Sequence, residues 1–371
     1  MDAPTHGDPG LTASLARRVP TPMQLLGWGM AAIGLVCVAF VTWFWLTHAT
    51  AETPGDTHNY VLAGLRLNAG HPLYGYGPGD EHVRVFEVGP DYPLYSPPLI
   101  AVLFRPIVLL PANGQYVWWF VMDVLELVAV AMLVRRLPLV AGLALIPLSI
   151  PIGLAMEVAN VDCLVVIGML LAWRWLVAGH ADRAALLIAL LASLKLTPAI
   201  FVWWLLVTGR RRAAAVAICA GLALAVVAIL GSEPLVFAKF YEVTTANLGE
   251  PITGSTGSVG LARALNMPAI VITWLPRVVL VSGVAAVWAL RRRPGLAFAV
   301  GAWLMWLGSP VSSLHAPALV LISLAPLAWP MTRDLAGRRA ESGESGPEGG
   351  ARSEPRPGAG SDPAAEPAPA R

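Results

Sequence analysis

The sequence predicts an all-α polytopic membrane bundle, and three observations carry that prediction. Hydrophobic residues fill 56% of the 371 positions and charged residues only 13%, against the roughly 25% charged of an ordinary soluble chain. Apolar runs of about twenty residues, long enough to cross a hydrocarbon core, recur from about residue 24 to residue 330. The charges are pushed to the edges: of 25 basic and 23 acidic residues, 12 lie beyond Arg333.

The same figures exclude other classes. A net charge of +2 with no basic stripe leaves no electrostatic footprint for nucleic acid. Cys37, Cys163 and Cys219 each stand alone inside an apolar run. Without metal or CxxC spacing they read as small buried apolar side chains, and we expect neither a metal nor a cofactor.

Residues 1–20 are polar and read as a disordered cytoplasmic N-terminus. The first apolar run, about 24–47, follows Arg17 and Arg18 and is too long for a signal-peptide core, so it reads as an uncleaved span. A polar stretch, 48–95, then carries Glu52, Asp56, Asp80, Glu81, Glu87 and Asp91 against two arginines. Further apolar runs lie near 96–112, 115–134, 138–156, 160–177, 184–207, 213–231, 269–290, 295–313 and 314–330. Together they define a transmembrane domain, 21–333. Beyond it, 334–371 is rich in Gly, Pro, Ser, Glu and Ala, with Leu335 as its one large aliphatic residue. Such a tail cannot bury enough apolar area to offset its ordering entropy.

Arginine clusters set the orientation. Arg17/Arg18, Arg135/Arg136, Arg210–Arg212, Arg291–Arg293 and Arg333/Arg338/Arg339 all fall on the cytoplasmic side in one topology. There, 96–112, broken by Pro97, Pro98, Arg105 and Pro106, lies at the outer interface as part of a first extracytoplasmic loop, 48–114. Run 184–207 divides at Lys195-Leu196-Thr197-Pro198 into two short helices. The result is about ten passes with both termini inside. The rival topology keeps 96–112 as a span and 184–207 as one helix, which puts Arg135 and Arg136 outside.

In the preferred topology Asp56, Glu157, Asn160, Lys195, the polar loop 232–268 and His315 share one face, and polar residues converging there suggest a site. Asp56 directly follows span one and reads either as a helix N-cap or as a general base. Lys195, one of only two lysines, stands in an apolar run where a lone cation must snorkel or pair. It reads as a structural partner of Glu157 or Asp162, or as an anion site. Glu157 and Asn160 occupy a short turn between spans. His315 reads as a hydrogen-bonded structural residue unless the site uses it. Asp123 and Glu126 share one helical face and read as partners for an arginine such as Arg105, while Arg174 should snorkel.

The order Asp56, Tyr60, Ala63, Gly70-His71-Pro72-Leu73-Tyr74, Tyr95-Ser96-Pro97-Pro98 and Leu103-Phe104-Arg105-Pro106 resembles glycosyltransferase family 87. Leu194-Lys195-Leu196-Thr197-Pro198 is similar to that family's Lys-x-x-Pro segment, Ser309-Pro310 with His315 resembles its late Ser-Pro…His signature, and Ser258 to Arg263 its Ser…Arg loop. The chain departs from the family at Glu157-Val158-Ala159-Asn160, where Gly-Gln-x-Asn is usual, and in having His315 without a neighbouring second histidine. The resemblance implies a GT-C-type membrane bundle with a catalytic first extracytoplasmic loop. It implies inverting transfer of a hexosyl group, mannosyl above all, from a polyprenyl-phosphate sugar to a glycolipid or glycan acceptor outside the cell membrane. It maps catalytic roles onto Asp56, as the base, and His315, as a further cation for the leaving phosphate, donor-phosphate binding onto Lys195 and Arg263, and substrate contacts onto Tyr60, Tyr95, Glu157, Asn160 and Ser258. A transporter or flippase of lipid-linked sugars would share the broken helix and the buried cation, but neither repeat symmetry nor a second acidic loop is present. A scaffold would have only the tail to recommend it.

Overall fold

In the computed structural model the described residues are 21–48, 55–74, 94–246, 256–309 and 313–331. The residues before 21, the acidic segment 75–93, Pro310 and all of the tail beyond Met331 lie outside them. Among the described residues every regular element is helical.

Helix α1 (Pro22–His48) begins with a reciprocal cap that its sequence spells out. The Gln24 amide nitrogen donates to Thr21 Oγ1 (3.2 Å) and the Thr21 nitrogen donates to Gln24 Oε1 (2.9 Å), which satisfies two otherwise orphaned donors. After it come α2 (Gly55–Asn68), α3 (Pro98–Ile107), α4 (Gln115–Arg136), α5 (Pro138–Glu157) and α6 (Asp162–Val177). Then follow α7 (Ala181–Leu194), a 3₁₀ turn (Thr197–Ala199), α8 (Ile200–Val207), α9 (Arg211–Gly231), α10 (Val236–Ala246) and α11 (Gly257–Ala264). The last elements are α12 (Ala269–Ala289), α13 (Pro294–Leu307), a 3₁₀ helix (Ala316–Leu324) and α14 (Ala325–Ala328). Five stretches, Pro22–Thr47, Pro111–Arg136, Pro138–Glu157, Arg211–Gly231 and Ala269–Ala289, are long and apolar enough to cross a membrane.

Helices α1 and α5 form the most intimate pair, and they run parallel. Gly27 lies against Leu139, Gly34 against Gly142 and Leu145, and Gly153 against Val41 and Thr42. At Gly142 an added Cβ would fall 2.4 Å from the Met30 backbone, so only a residue without a side chain admits this approach. The parallel register has a topological consequence. It puts the α4–α5 junction, with Arg135 and Arg136, at the same end of the bundle as Thr21, and the α5–α6 turn at the opposite end.

Both ambiguous runs form short helices, although α3 continues through Arg105 and Pro106. Helix α3 has only 10 residues, about 15 Å of length, half of a hydrocarbon core. It lies against α2, where Gly64 meets Phe104. The helix before Lys195 stops at Leu194, and Lys195 itself is extended (φ −145°, ψ 124°). Proline at 198 accounts for the break: it has no N–H to donate to the Leu194 carbonyl, and in a continuous helix its ring would clash with that carbonyl.

Two aromatic clusters lock the ends. At one end Tyr60, Phe104 and Trp118 pack with ring centroids 4.8–6.1 Å apart. At the other, Phe298 contacts Trp173, Phe201 and Trp204 at 4.5–5.5 Å. There arginines stack on tryptophans: Arg174 over Trp329, Arg210 over Trp204 and Arg291 over Trp288. Face stacking of this kind stabilises a cation next to apolar surface.

One pairing differs from expectation. Arg105 does not serve Asp123 or Glu126: its Nε donates to Asn68 Oδ1 (3.0 Å) and its Nη1 to the Gly231 carbonyl (3.0 Å). Glu126 is fully buried, and its carboxyl oxygens have no hydrogen-bond partner among the described residues. A side chain on α3 is held by α2 and the end of α9, and the α4 acids point elsewhere.

Candidate active site

The site assembles at the end of the bundle that holds the α5–α6 turn. That turn, Glu157 to Val161, is strained and heavily fastened. Ala159 adopts φ +45°, a left-handed conformation that costs a non-glycine residue of order 1 kcal/mol. Three donors hold it: Trp119 Nε1 bonds the Met156 carbonyl (2.8 Å), Thr57 Oγ1 bonds Val158 (3.1 Å) and Trp118 Nε1 bonds Ala159 (2.9 Å). Tyr60 braces this support, because its buried ring packs between Phe104 and Trp118 one turn after Asp56.

The reversed chain at Ala159 turns Asn160 inward. Asn160 Oδ1 accepts from the Asp162 backbone N–H (2.8 Å), and its Nδ2 is thereby aimed at Asp56 Oδ2 (2.7 Å). Asp56 is the second residue of α2, where the helix dipole favours a carboxylate. The same Oδ2 lies 3.3 Å from His315 Nε2, and Ser313 Oγ also contacts Nε2. On the other side of the ring, His315 Nδ1 lies 3.1 Å from Asp162 Oδ2, and Asp162 Oδ1 pairs with Lys195 Nζ. Four groups from four parts of the chain therefore form one line: Asp56, His315, Asp162, Lys195. Their signs alternate, negative, positive, negative, positive, when the imidazole is protonated.

The environment favours that protonated form. Burial alone would lower the His315 pKa, but hydrogen bonds and charge from Asp162 and Asp56 overcome it and raise the value from 6.5 to about 9. For Asp56, burial opposes ionisation, yet the bond and charge of His315, the Asn160 amide and the more distant Lys195 hold its carboxyl below the ordinary aspartate value. Both groups are charged at neutral pH. The Asp56 side chain keeps 32% of its surface exposed, whereas Asp162 has none. The acid at the open end of the line is thus the one a substrate can reach.

The other residues marked by the sequence have looser ties to this line. Glu157, the last residue of α5, is half-buried and within electrostatic reach of Asp56 and His315. Tyr95 is half-buried in the extended segment that leads into α3. Ser258 and Arg263 lie on α11. Helix α11 is anchored next to His315, because Thr256 Oγ1 donates to the Ser313 carbonyl (2.7 Å). Ser258 Oγ and Thr197 Oγ1 are buried without a hydrogen-bond partner among the described residues. Asp162 was marked only as a partner for Lys195. Its link to His315, 153 positions away, carries no local signature; an acid in the first turn of an otherwise apolar helix was the available signal.

Residues 94–310, more than half of the chain, match the sequence model of glycosyltransferase family 87. The chain belongs to glycosyltransferase family 87. No curated protein and no solved structure matches it. The family segment contains Tyr95, Glu157, Asn160, Asp162, Lys195, Ser258 and Arg263, while Asp56, Tyr60 and His315 lie outside it. Geometry joins the two sets: Asp56 to the family segment through Asn160, His315 through Asp162. Membership of this family makes the protein a membrane glycosyltransferase, with a sugar donor and an acceptor as its substrates.

Proposed function

We propose that this family member transfers a hexosyl group, with mannose as the leading candidate, from a polyprenyl-phosphate sugar to a glycolipid or glycan acceptor, with inversion at the anomeric carbon. The observation that carries the reading is the line of alternating charge. It ends on a reachable carboxylate at Asp56 and on a cation at Lys195, both at the end of the bundle away from Arg135 and Arg136. Under the positive-inside rule that end is extracytoplasmic. About ten passes then carry the chain across the cell membrane, with α2 and α3 lying in the first outer loop.

In this mechanism the acceptor hydroxyl oxygen attacks the anomeric carbon from the face opposite the phosphate. As the new C–O bond forms, the hydroxyl proton passes to Asp56, and the bond from the anomeric carbon to the phosphate oxygen breaks with its electron pair. The departing lipid phosphate gains charge, so cations placed at that oxygen stabilise the transition state more than the ground state. Lys195 and His315 supply them, with Arg263 and Ser258 approaching from α11. The negative donor also offsets part of the His315 charge felt by Asp56, which raises the proton affinity of the carboxylate when the base is needed. Asn160 keeps that carboxylate aimed, Glu157 and Tyr95 border the acceptor side, and Tyr60 holds α2 in register. The lipid tail stays in the bilayer, which accounts for a catalyst built on apolar helices.

The test is incubation of the purified protein with radiolabelled polyprenyl-phosphate mannose and a membrane lipid extract. Label in a new glycolipid supports the donor, and release by an α- or a β-mannosidase, compared with the anomer of the donor, gives the stereochemistry. Donor recovered unchanged across a range of lipid extracts refutes the proposed donor.

A further inference from the structure

We propose that Asp162 is the positioning residue of this site: one carboxylate oxygen orients the His315 ring and the other seats Lys195, so that the two cations meeting the donor phosphate stand at a set distance from Asp56. The proposal deepens the transferase reading and rests on it for the identity of the phosphate.

The geometry supports it from several sides. Asp162 is completely buried, and its two oxygens are divided between Nδ1 of His315 (3.1 Å) and the Lys195 ammonium. Its own backbone N–H is held by Asn160, whose amide in turn fixes Asp56. One residue therefore contacts, directly or through one intervening side chain, every other member of the line. An acid on Nδ1 settles the ring's orientation and leaves Nε2 facing Asp56 and the open side. A buried carboxylate with one cation alone would be only half satisfied. With two it compensates both, which explains how an ammonium and an imidazolium coexist in an apolar bundle.

The groups that face His315 can be named from each packed element. They are Asp56 on α2, Glu157 at the end of α5, Asp162 at the head of α6, and Lys195 beyond Asp162 at the α7 break. Ser313 lies on its own segment, and Glu126 on α4 is within electrostatic reach of Asp162. Removing Asp162 takes away a direct contact to Nδ1, while Asp56 remains on Nε2. The imidazole should then titrate lower, though not as low as a free histidine.

The test needs no sugar transfer. Protein labelled with ¹⁵N only in its histidines is titrated by NMR in detergent, with His315→Gln assigning the resonance. We expect the wild-type ring to titrate near 9, Asp162→Asn to bring it down by at least one pH unit, and Asp162→Glu to restore most of the difference. In the transferase assay Asp162→Asn should lower kcat at least tenfold and move the alkaline limb of the pH–rate profile the same way as the titration. Folded Asp162→Asn with an unchanged His315 titration overturns the proposal. If that variant fails to fold because Lys195 is left unpaired, Asp162→Asn is compared with Asp162 in a Lys195→Met background. A fall in the His315 titration there supports the proposal. No change, or a double variant that stays unfolded, assigns Asp162 to folding alone and overturns it. A titration shift in protein that transfers no sugar would refute the donor assignment and leave the positioning role standing.

Discussion

Asp56→Asn separates chemistry from stability at this site, and the structure sets both magnitudes. Asparagine keeps an acceptor for the Asn160 amide, and as the second residue of α2 it forgoes a carboxylate–dipole interaction of only about 0.3–1 kcal/mol. What it loses is the charge facing His315. At 3.3 Å and an effective dielectric near 20, that attraction is about 5 kcal/mol before desolvation. The Asp56 side chain is 32% exposed, so solvent screening and the cost of dehydrating the carboxylate leave a net contribution of about 1–2 kcal/mol. In a chain of this size each kcal/mol moves Tm by only about 1–1.5 °C, so the variant should melt a degree or two lower and remain folded at assay temperature. Loss of a general base costs about 10²–10⁴-fold in turnover, which corresponds to roughly 3–5.5 kcal/mol in the barrier. The two effects differ enough to be told apart. Turnover with labelled polyprenyl-phosphate mannose is measured on the same preparations as thermal unfolding. An Asn variant that transfers sugar at the wild-type rate removes Asp56 from the mechanism.

Three further outcomes are expected. The His315 pKa is raised to about 9 from 6.5, so its contribution is complete below about pH 6.5 and is lost as pH rises through 9. It amounts to on the order of 3 kcal/mol. Thermal unfolding should show this alkaline decline in the wild type and a flatter one in His315→Gln; parallel curves would contradict the assigned pairing. Gly142→Ala should lower Tm by about 1–4 °C, because its Cβ would meet the Met30 backbone at 2.4 Å and overpacking of this kind costs about 1–3 kcal/mol; an unchanged Tm would contradict the close α1–α5 approach. In a background without native cysteines, a cysteine at Arg136 should resist an impermeant thiol reagent in intact cells while one at the exposed His71 reacts; labelling at 136 from outside would reverse the orientation.

Much of the plan was legible from residue order because it rests on local physics. Span lengths follow from the apolar runs, the α1 start from Thr21 and Gln24, and the interruption at Lys195 from Pro198. Asp56 and His315 stood out by position, an acid directly after the first span and a histidine at the outer entrance of the last, and the family resemblance gave both a catalytic role. Partner choice was not legible. Asp162 rather than Glu157 meets Lys195, although the two acids stand five positions apart, because the left-handed Ala159 reverses the chain between them and sends one inward. Arg105 meets Asn68 and Gly231 rather than the α4 acids, because α3 lies across α2 and the end of α9. Periodicity determines that a helix forms and which face is apolar. It is silent on which distant side chain a charge will face, since that depends on how helices cross. Here the parallel register of α1 and α5, permitted by Gly34 and Gly142, carries Asp56 to the level of the α5–α6 turn and so brings together residues more than 100 positions apart.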